Sequence, residues 1–269
     1  MNVAVSVIGL GLMGRPMLRV LQGAGFTVRG WNRSPLAEEA LEGIALAADL
    51  EEAARADVLL LMLSDSPAVD AVLKRLEPLL SPGQVVLDMG SSDPRRSEAH
   101  AARLQGEGIG WVDAPVSGGP EGAKTGTLAI MAGATPDDFA RVQPVLDALG
   151  GNVVHVGEPG AGHKTKVVNQ IIVGLTIQAV AEALALAEAS GVDPKKVQEA
   201  LKGGFADSKI LQLHGTRMIA RSYQPGAKVK TQLKDLRLGL ELAAPLDLDL
   251  PHVRSAAQRY ERLEAEGDG

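Results

Sequence analysis

The sequence predicts an α/β fold: a doubly wound, mostly parallel sheet at the N-terminus, then a long interdomain helix and an all-α C-terminal domain. Three observations carry this. Unbroken apolar runs of strand length alternate with helical stretches over about the first 155 residues, the pattern of βαβ units whose sheet is covered on both faces. A glycine-rich loop, Gly9-Leu10-Gly11-Leu12-Met13-Gly14, follows the first run and precedes a helical one. After Gly162 strand signals vanish and only helical spacing remains.

The elements are expected as follows. Val3–Ile8 is a β-rich run ending at Gly9, and Met13–Gly23 has helical spacing and closes on Gly-Ala-Gly. Phe26–Trp31 is a second strand, after which Ser34-Pro35 opens a helix with Ser as N-cap and Pro at the first helical position. Val58–Leu63 is a solid apolar strand, followed by a helix from Ser66-Pro67 through Glu77. Gln84–Asp88 is a strand, Pro94–Gln105 a helix and Leu128–Ala132 a strand. Thr135-Pro136-Asp137-Asp138 caps a helix that runs to Leu149, and Asn152–Val156 closes the series as a strand. His163 to Ser190 reads as one long helix, roughly 40 Å at about 1.5 Å per residue. Asp193-Pro194 starts another that Gly203-Gly204 breaks, and Ser208–Ser222, Lys230–Ala243 and Pro251–Glu266 read as further helices. The boundary lies near Glu158-Pro159-Gly160-Ala161-Gly162, giving a nucleotide-binding domain over 1–160 and a helical substrate and oligomerisation domain over 161–269.

Composition narrows the function. Aromatics are only 3% of 269 residues, so the core is built from Ala, Val, Leu and Ile. There is no cysteine, which excludes disulfides, thiolate metal sites and cysteine nucleophiles and agrees with a cytoplasmic protein. The net charge of −6 argues against nucleic-acid or membrane-surface binding. Val3–Ile8 is too short for the apolar core of an export signal, so none is expected. The longest apolar stretch, Val167–Ala189, holds Asn169, Gln170, Gln178, Glu182 and Glu188, and is expected to be a buried helix rather than a membrane span.

The glycine loop has the spacing of the Rossmann dinucleotide fingerprint in the right context. Gly9 permits the turn, Gly11 lets backbone approach a pyrophosphate, and Gly14 lets helix pack on strand, while the helix N-terminus faces the phosphates. The end of the second strand selects the cofactor. A carboxylate there would bind the ribose 2′-hydroxyl of NAD(H), but the residues are Asn32, Arg33 and Ser34. Arg33 can pair with a 2′-phosphate and its neighbours can hydrogen-bond it, so NADP(H) is favoured and no metal is expected.

Hydride transfer to a carbonyl needs a proton donor. Of His100, His155, His163, His214 and His252, none sits with a carboxylate in a recognisable pattern. Lys166, Asn169 and Gln170 share a helix face in the first turns of the long helix. They suggest a semi-buried polar site whose lysine loses its proton readily, since burial disfavours charge. A solvated lysine beside backbone-capping amides is the other reading. Lys164 points elsewhere.

At this point the chain resembles the β-hydroxyacid dehydrogenases, which include 3-hydroxyisobutyrate dehydrogenases, tartronate semialdehyde reductases, glyoxylate/succinic semialdehyde reductases and, more distantly, 6-phosphogluconate dehydrogenases. The resemblance rests on the glycine loop with Pro16-Met17, on Asp113-Ala114-Pro115-Val116-Ser117-Gly118-Gly119-Pro120, on Gly160-Ala161-Gly162 with Lys166 and Asn169, and on Leu233-Lys234-Asp235-Leu236. It implies that Lys166 is the general acid and base, and that Ser117, Gly118 and Gly119 hold the substrate carboxylate. Read alone, that last segment is a plain turn before the Leu128 strand. The resemblance also implies that Asn169 or Gln170 orients substrate, and that Leu63, Ser64, Ser91 and Lys234 join Gly9 to Gly14, Asn32, Arg33 and Ser34 around the cofactor. The implied substrate is a small carboxylate-bearing aldehyde or hydroxyacid, and the implied assembly a homodimer or homotetramer. Where several members carry an aromatic pocket wall, this chain has Pro225-Gly226-Ala227-Lys228, which implies a wider pocket or, through Lys228 and Lys230, a more cationic one. An imine reductase on the same scaffold and a non-catalytic NADP-binding module are the rival readings; the presence of Lys166 speaks against both.

Overall fold

The computed structural model describes residues 3–37, 41, 43–223 and 228–267. It divides into two compact units, residues 1–166 and 167–269, six residues beyond the division expected from the sequence. The first unit is built on one sheet. Its strands are β1 (Ala4–Ile8), β2 (Thr27–Trp31), β3 (Val58–Leu61), β4 (Val85–Asp88), β5 (Gly110–Asp113), β6 (Val116–Ser117), β7 (Leu128–Gly133) and β8 (Gly150–Gly157). Their order is β2-β1-β3-β4-β5-β7-β6, with β8 on β7. The first five strands are parallel, and β7 runs antiparallel to β5 and β6.

Side-chain alternation places this sheet between two cores. Leu60 and Leu87 pack on one face with Met17, Leu18 and Leu21 of helix α1 (Gly14–Gly23). Leu59, Leu61 and Val86 pack on the other with Leu73 and Leu76 of a later helix. Because both faces are covered, β3 and β4 are buried throughout and read as continuous apolar runs. The helices between are α2 (Leu50–Ala53), α3 (Ser66–Leu76), α4 (Pro94–Gln105), α5 (Gly119–Thr125) and α6 (Pro136–Leu149). Asp65, Asp93 and Thr135 cap α3, α4 and α6, each accepting from a first-turn N–H, with Pro at the start where no N–H is needed.

One expectation is corrected in this unit, and one stretch left without an assignment is filled. Ser34 to Ala37 is not helical: Asn32 donates its side-chain amide to the Ser34 carbonyl, which holds an irregular turn where a cap was expected. The continuation through 38–40 and 42 lies outside the described residues. The stretch between α4 and β7, to which the sequence pattern assigns no element, holds two strands and a helix. Gly110–Asp113 is a buried strand fixed by pairing with β4, although only Val112 in it is β-branched, so tertiary pairing overrides weak propensity. Val116–Ser117 and α5 follow it.

Helix α7 (Ala161–Ala189) begins in the first unit and continues into the second. The second unit adds α8 (Pro194–Leu201), α9 (Thr216–Ile219), α10 (Val229–Ala243) and α11 (Pro251–Glu266). The single helix expected over Ser208–Ser222 contains a π-helical turn at Leu211–Gly215. Gln198 of α8, buried, donates to the carbonyls of Leu211 and Gln212 in this turn. Of Pro225-Gly226-Ala227-Lys228, the expected departure at the pocket wall, the first three lie outside the described residues, and Lys228 stands exposed just before α10.

The buried long helix is also corrected. Ile171 and Leu175 pack on α10 and α11, and Val180 and Leu184 on Leu211, but only 17% of the helix's most apolar window is buried. Val168, Ile172 and Leu186 are 57%, 61% and 68% exposed. One chain offers too few helices to cover an apolar surface that runs all round α7. By length and composition α7 could also cross a membrane. Its first turn, however, is buried in the sheet unit at Gly162 and His163.

Candidate active site

The glycine loop leaves the carboxyl end of β1, the edge where open α/β sheets bind ligands. Gly9 has φ +103° and gives its N–H to the Trp31 carbonyl at 2.9 Å. A Cβ on Gly9 would overlap the Met62 carbonyl oxygen, and one on Gly14 the Gly9 carbonyl oxygen. Those two glycines are demanded by the fold. Gly11 is not: a Cβ there would meet nothing within 4 Å. Beside it, Met13 at the N-cap of α1 makes no side-chain cap bond to the first turn. Open space before an uncapped helix start fits a pyrophosphate. Asn32 accepts from the Leu10 N–H at 3.0 Å while donating to Ser34, so it shapes the loop with both ends of its amide. Arg33 and Ser34 are exposed, and Arg33 forms no ion pair among the described residues. Leu63 lies against Gly9, and a Cβ on Gly90 would come within 2.8 Å of the Leu63 carbonyl oxygen. Close backbone approach thus gathers the ends of β1, β3 and β4, where Ser64 bonds Asp65 at 3.1 Å and Ser91 is half-buried.

Lys166 is half-buried in the second turn of α7 and donates from Nζ to the Val116 carbonyl at 2.8 Å. Val116 precedes Ser117, so the structure brings the lysine to the Ser117-Gly118-Gly119 segment, 50 residues away in sequence. That segment turns sharply from β6 into α5 through Gly118 (φ +134°) and Gly119 (φ +62°), a backbone that residues with side chains rarely adopt. Asn169, Gln170 and Lys234 lie in the second unit. There Gln170 donates to the Asp235 carboxylate at 2.8 Å and to Gln232 at 3.2 Å, and Lys234 pairs with Asp235 at 3.2 Å. Asn169 reaches Gln170 at 3.4 Å.

One cluster went unseen in the sequence. His163, fully buried, bonds Ser97 Oγ through Nδ1 at 2.6 Å and the Gly90 carbonyl through Nε2 at 3.3 Å. The Gly90 carbonyl can only accept, so Nε2 carries a proton in this contact. The carboxylates of Asp88 and Asp113 each stand 3.8 Å from a ring nitrogen. Asp113 accepts the backbone N–H groups of Gly160 at 2.6 Å and His163 at 2.8 Å. Asp88 accepts from Gly90 N–H and Ser92 Oγ. The available signal was an Asp ending each of two apolar strands, since a buried carboxylate requires partners.

Burial raises the Asp113 carboxyl to about 6, with Asp88 adding repulsion and with His163 and the two backbone N–H groups opposing. A raised folded-state value means the native state holds a proton that the unfolded chain releases near 3.8. Stability from Asp113 is therefore complete below that value and lost as pH rises to about 6. Relative to Asp113→Asn, the wild type is expected to lose up to about 3 kcal/mol between pH 4 and pH 7 in denaturant unfolding. A difference independent of pH would contradict this.

Residues 4–157 match the family described as the NAD binding domain of 6-phosphogluconate dehydrogenase. Residues 160–269 match the one described as NAD-binding of NADP-dependent 3-hydroxyisobutyrate dehydrogenase. The chain is 41% identical to the 2-hydroxy-3-oxopropionate reductase of Escherichia coli, over 97% of this chain and 91% of that protein. A 3-hydroxyisobutyrate dehydrogenase structure from Salmonella typhimurium superposes with a TM-score of 0.90 at 29% identity, covering 100% of this chain and 96% of that one. The Mycobacterium tuberculosis 3-hydroxyisobutyrate dehydrogenase, solved with L-serine, superposes with a TM-score of 0.87 at 29% identity, over 98% and 94% of the two chains.

Proposed function

We propose a reaction on the premise that this chain belongs to the β-hydroxyacid dehydrogenase family: reduction of a small carboxylate-bearing aldehyde to the hydroxyacid, with NADPH as reductant. The observation that carries it is Lys166 Nζ at the Val116 carbonyl, next to Ser117. Bound nicotinamide supplies the hydride at C4. Lys166 gives the proton to the carbonyl oxygen as that oxygen gains charge, and takes it back when the alcohol is oxidised. Ser117, Gly118 and Gly119 offer a hydroxyl and backbone N–H groups to the carboxylate. Asn169 or Gln170 orients the substrate, as the resemblance implies; Gln170 donates to Asp235 and Gln232, and Asn169 to Gln170. Lys234 is retained as a cofactor residue on the resemblance alone. The E. coli relative's name favours 2-hydroxy-3-oxopropionate as substrate. The test is NADPH consumption at 340 nm with that aldehyde, methylmalonate semialdehyde, succinic semialdehyde and glyoxylate; turnover of none of them overturns the reading.

NADPH is favoured over NADH because Arg33 stands exposed past the end of β2. A charge-assisted bond to the 2′-phosphate is worth about 1.5–3 kcal/mol. Arg33→Ala is therefore expected to raise the KM for NADPH about 10- to 100-fold and to leave that for NADH nearly unchanged. Equal or better wild-type rates with NADH would contradict the preference.

The exposed Val168, Ile172 and Leu186 on α7 support a homo-oligomer, and light scattering is expected to give a dimeric or tetrameric mass. A monomeric mass at micromolar concentration would contradict it. The enzyme is proposed to work in the cytoplasm, free of membrane and nucleic acid.

A further inference from the structure

We infer that Asp113 and His163 are positioning residues: together they clamp the first turn of α7, and with it Lys166, onto the carboxyl ends of β4 and β5. The inference rests on the role proposed for Lys166.

The helix start is wedged into the sheet. A Cβ on Gly162 would overlap the carbonyl oxygens of Asp113 and Met131, and one on Gly133 would come within 2.6 Å of the Gly162 nitrogen. The N–H groups of Gly160, just before the helix, and of His163, in its first turn, are taken by the two oxygens of one carboxylate at the end of β5. A helix N-terminus held this way cannot slide along its axis or swing without breaking a charge-assisted bond.

His163 adds a lateral restraint. Its ring ties α7 to Ser97 of α4 and to the carbonyl of Gly90, whose peptide leads into Ser91. One buried side chain therefore registers the lysine helix against the loop that carries a proposed cofactor contact. Lys166 lies one turn beyond His163, a rise of about 4.5 Å. A displacement of about 1 Å at a reacting group can cost on the order of 10²-fold in rate.

Asn at position 113 keeps one acceptor and turns an N–H donor toward a backbone N–H, so it breaks half the clamp with little change of volume. In Asp113→Asn, kcat is expected to fall about 10- to 100-fold, with the Kd for NADPH and the KM for aldehyde changed less than about threefold. Hydrogen exchange at the amides of residues 160–166 is expected to quicken at least about tenfold. Wild-type kcat, or unchanged exchange in that turn, would overturn the inference. If Asp113→Asn does not fold, Ser97→Ala carries the test by removing the ring's lateral bond alone. A kcat loss of about three- to tenfold with faster exchange there supports the clamp, and no change in either overturns it. Should the wild type reduce no aldehyde, the proposed reaction fails on its own, and the exchange comparison still reads the clamp directly.

Discussion

Lys166→Ala is expected to lower kcat by about 10²- to 10⁴-fold while the affinity for NADPH stays within about twofold. The size follows from the chemistry: the substrate oxygen must gain a proton as hydride arrives, and Lys166, bonded beside the Ser117 segment, is the proposed donor. The selectivity follows from geography, because the glycine loop and Arg33 stand on β1 and β2 while the lysine meets β6. Lys166→Arg separates charge from proton transfer. It keeps the cation but cannot release its proton near neutral pH, so it is expected to stay at least about 10²-fold impaired. Steady-state rates at 340 nm and titration of NADPH fluorescence measure the two quantities. Unchanged turnover in Lys166→Ala would remove the lysine from the mechanism.

The second large effect distinguishes two glycines of one loop. Gly14→Ala places a methyl onto the Gly9 carbonyl oxygen, with Met62 Cβ behind it at 3.6 Å. The Gly9 backbone cannot yield as a flexible side chain could, so a cost of about 1–3 kcal/mol is expected, a fall of roughly 2–12 °C in Tm. Gly11→Ala meets nothing within 4 Å and is expected to melt like the wild type. It nevertheless puts a methyl where the pyrophosphate is proposed to approach, so the Kd for NADPH is expected to rise at least about tenfold. Thermal melts and cofactor titrations on both variants check the pair. Wild-type NADPH affinity in Gly11→Ala would show that the open space is not the phosphate site.

Much of this was legible in the chain because local chemistry and tertiary structure agree. Strands buried on both faces need apolar runs, and β3 is one throughout, β4 as far as Asp88 and β1 but for Ser6. Asp65, Asp93, Thr135 and Asp193, each followed closely by Pro, announce helices that start within a residue of expectation. What stayed hidden depends on distant partners. Gly110–Asp113 is a strand because β4 pairs with it, not because of its own residues. Ser34-Pro35 resembles a helix start, but Asn32 takes the local hydrogen bonds. Apolar content marked α7 as buried, yet burial needs neighbours that one chain does not supply. His163 pairs with no carboxylate nearby in sequence; the fold brings Asp88 and Asp113 to it from the ends of two strands. The lysine's helix was visible by spacing, whereas the carbonyl it bonds could be found only in three dimensions.

The most direct test is a single-turnover experiment in which the protein, loaded with NADPH, is mixed in one cell with 2-hydroxy-3-oxopropionate and in another with a small cyclic imine, and absorbance at 340 nm is followed. Rapid loss of one NADPH per chain with the aldehyde, abolished in Lys166→Ala and absent with the imine, is the predicted result. Loss with the imine alone, or no loss with either, would contradict the proposed reaction.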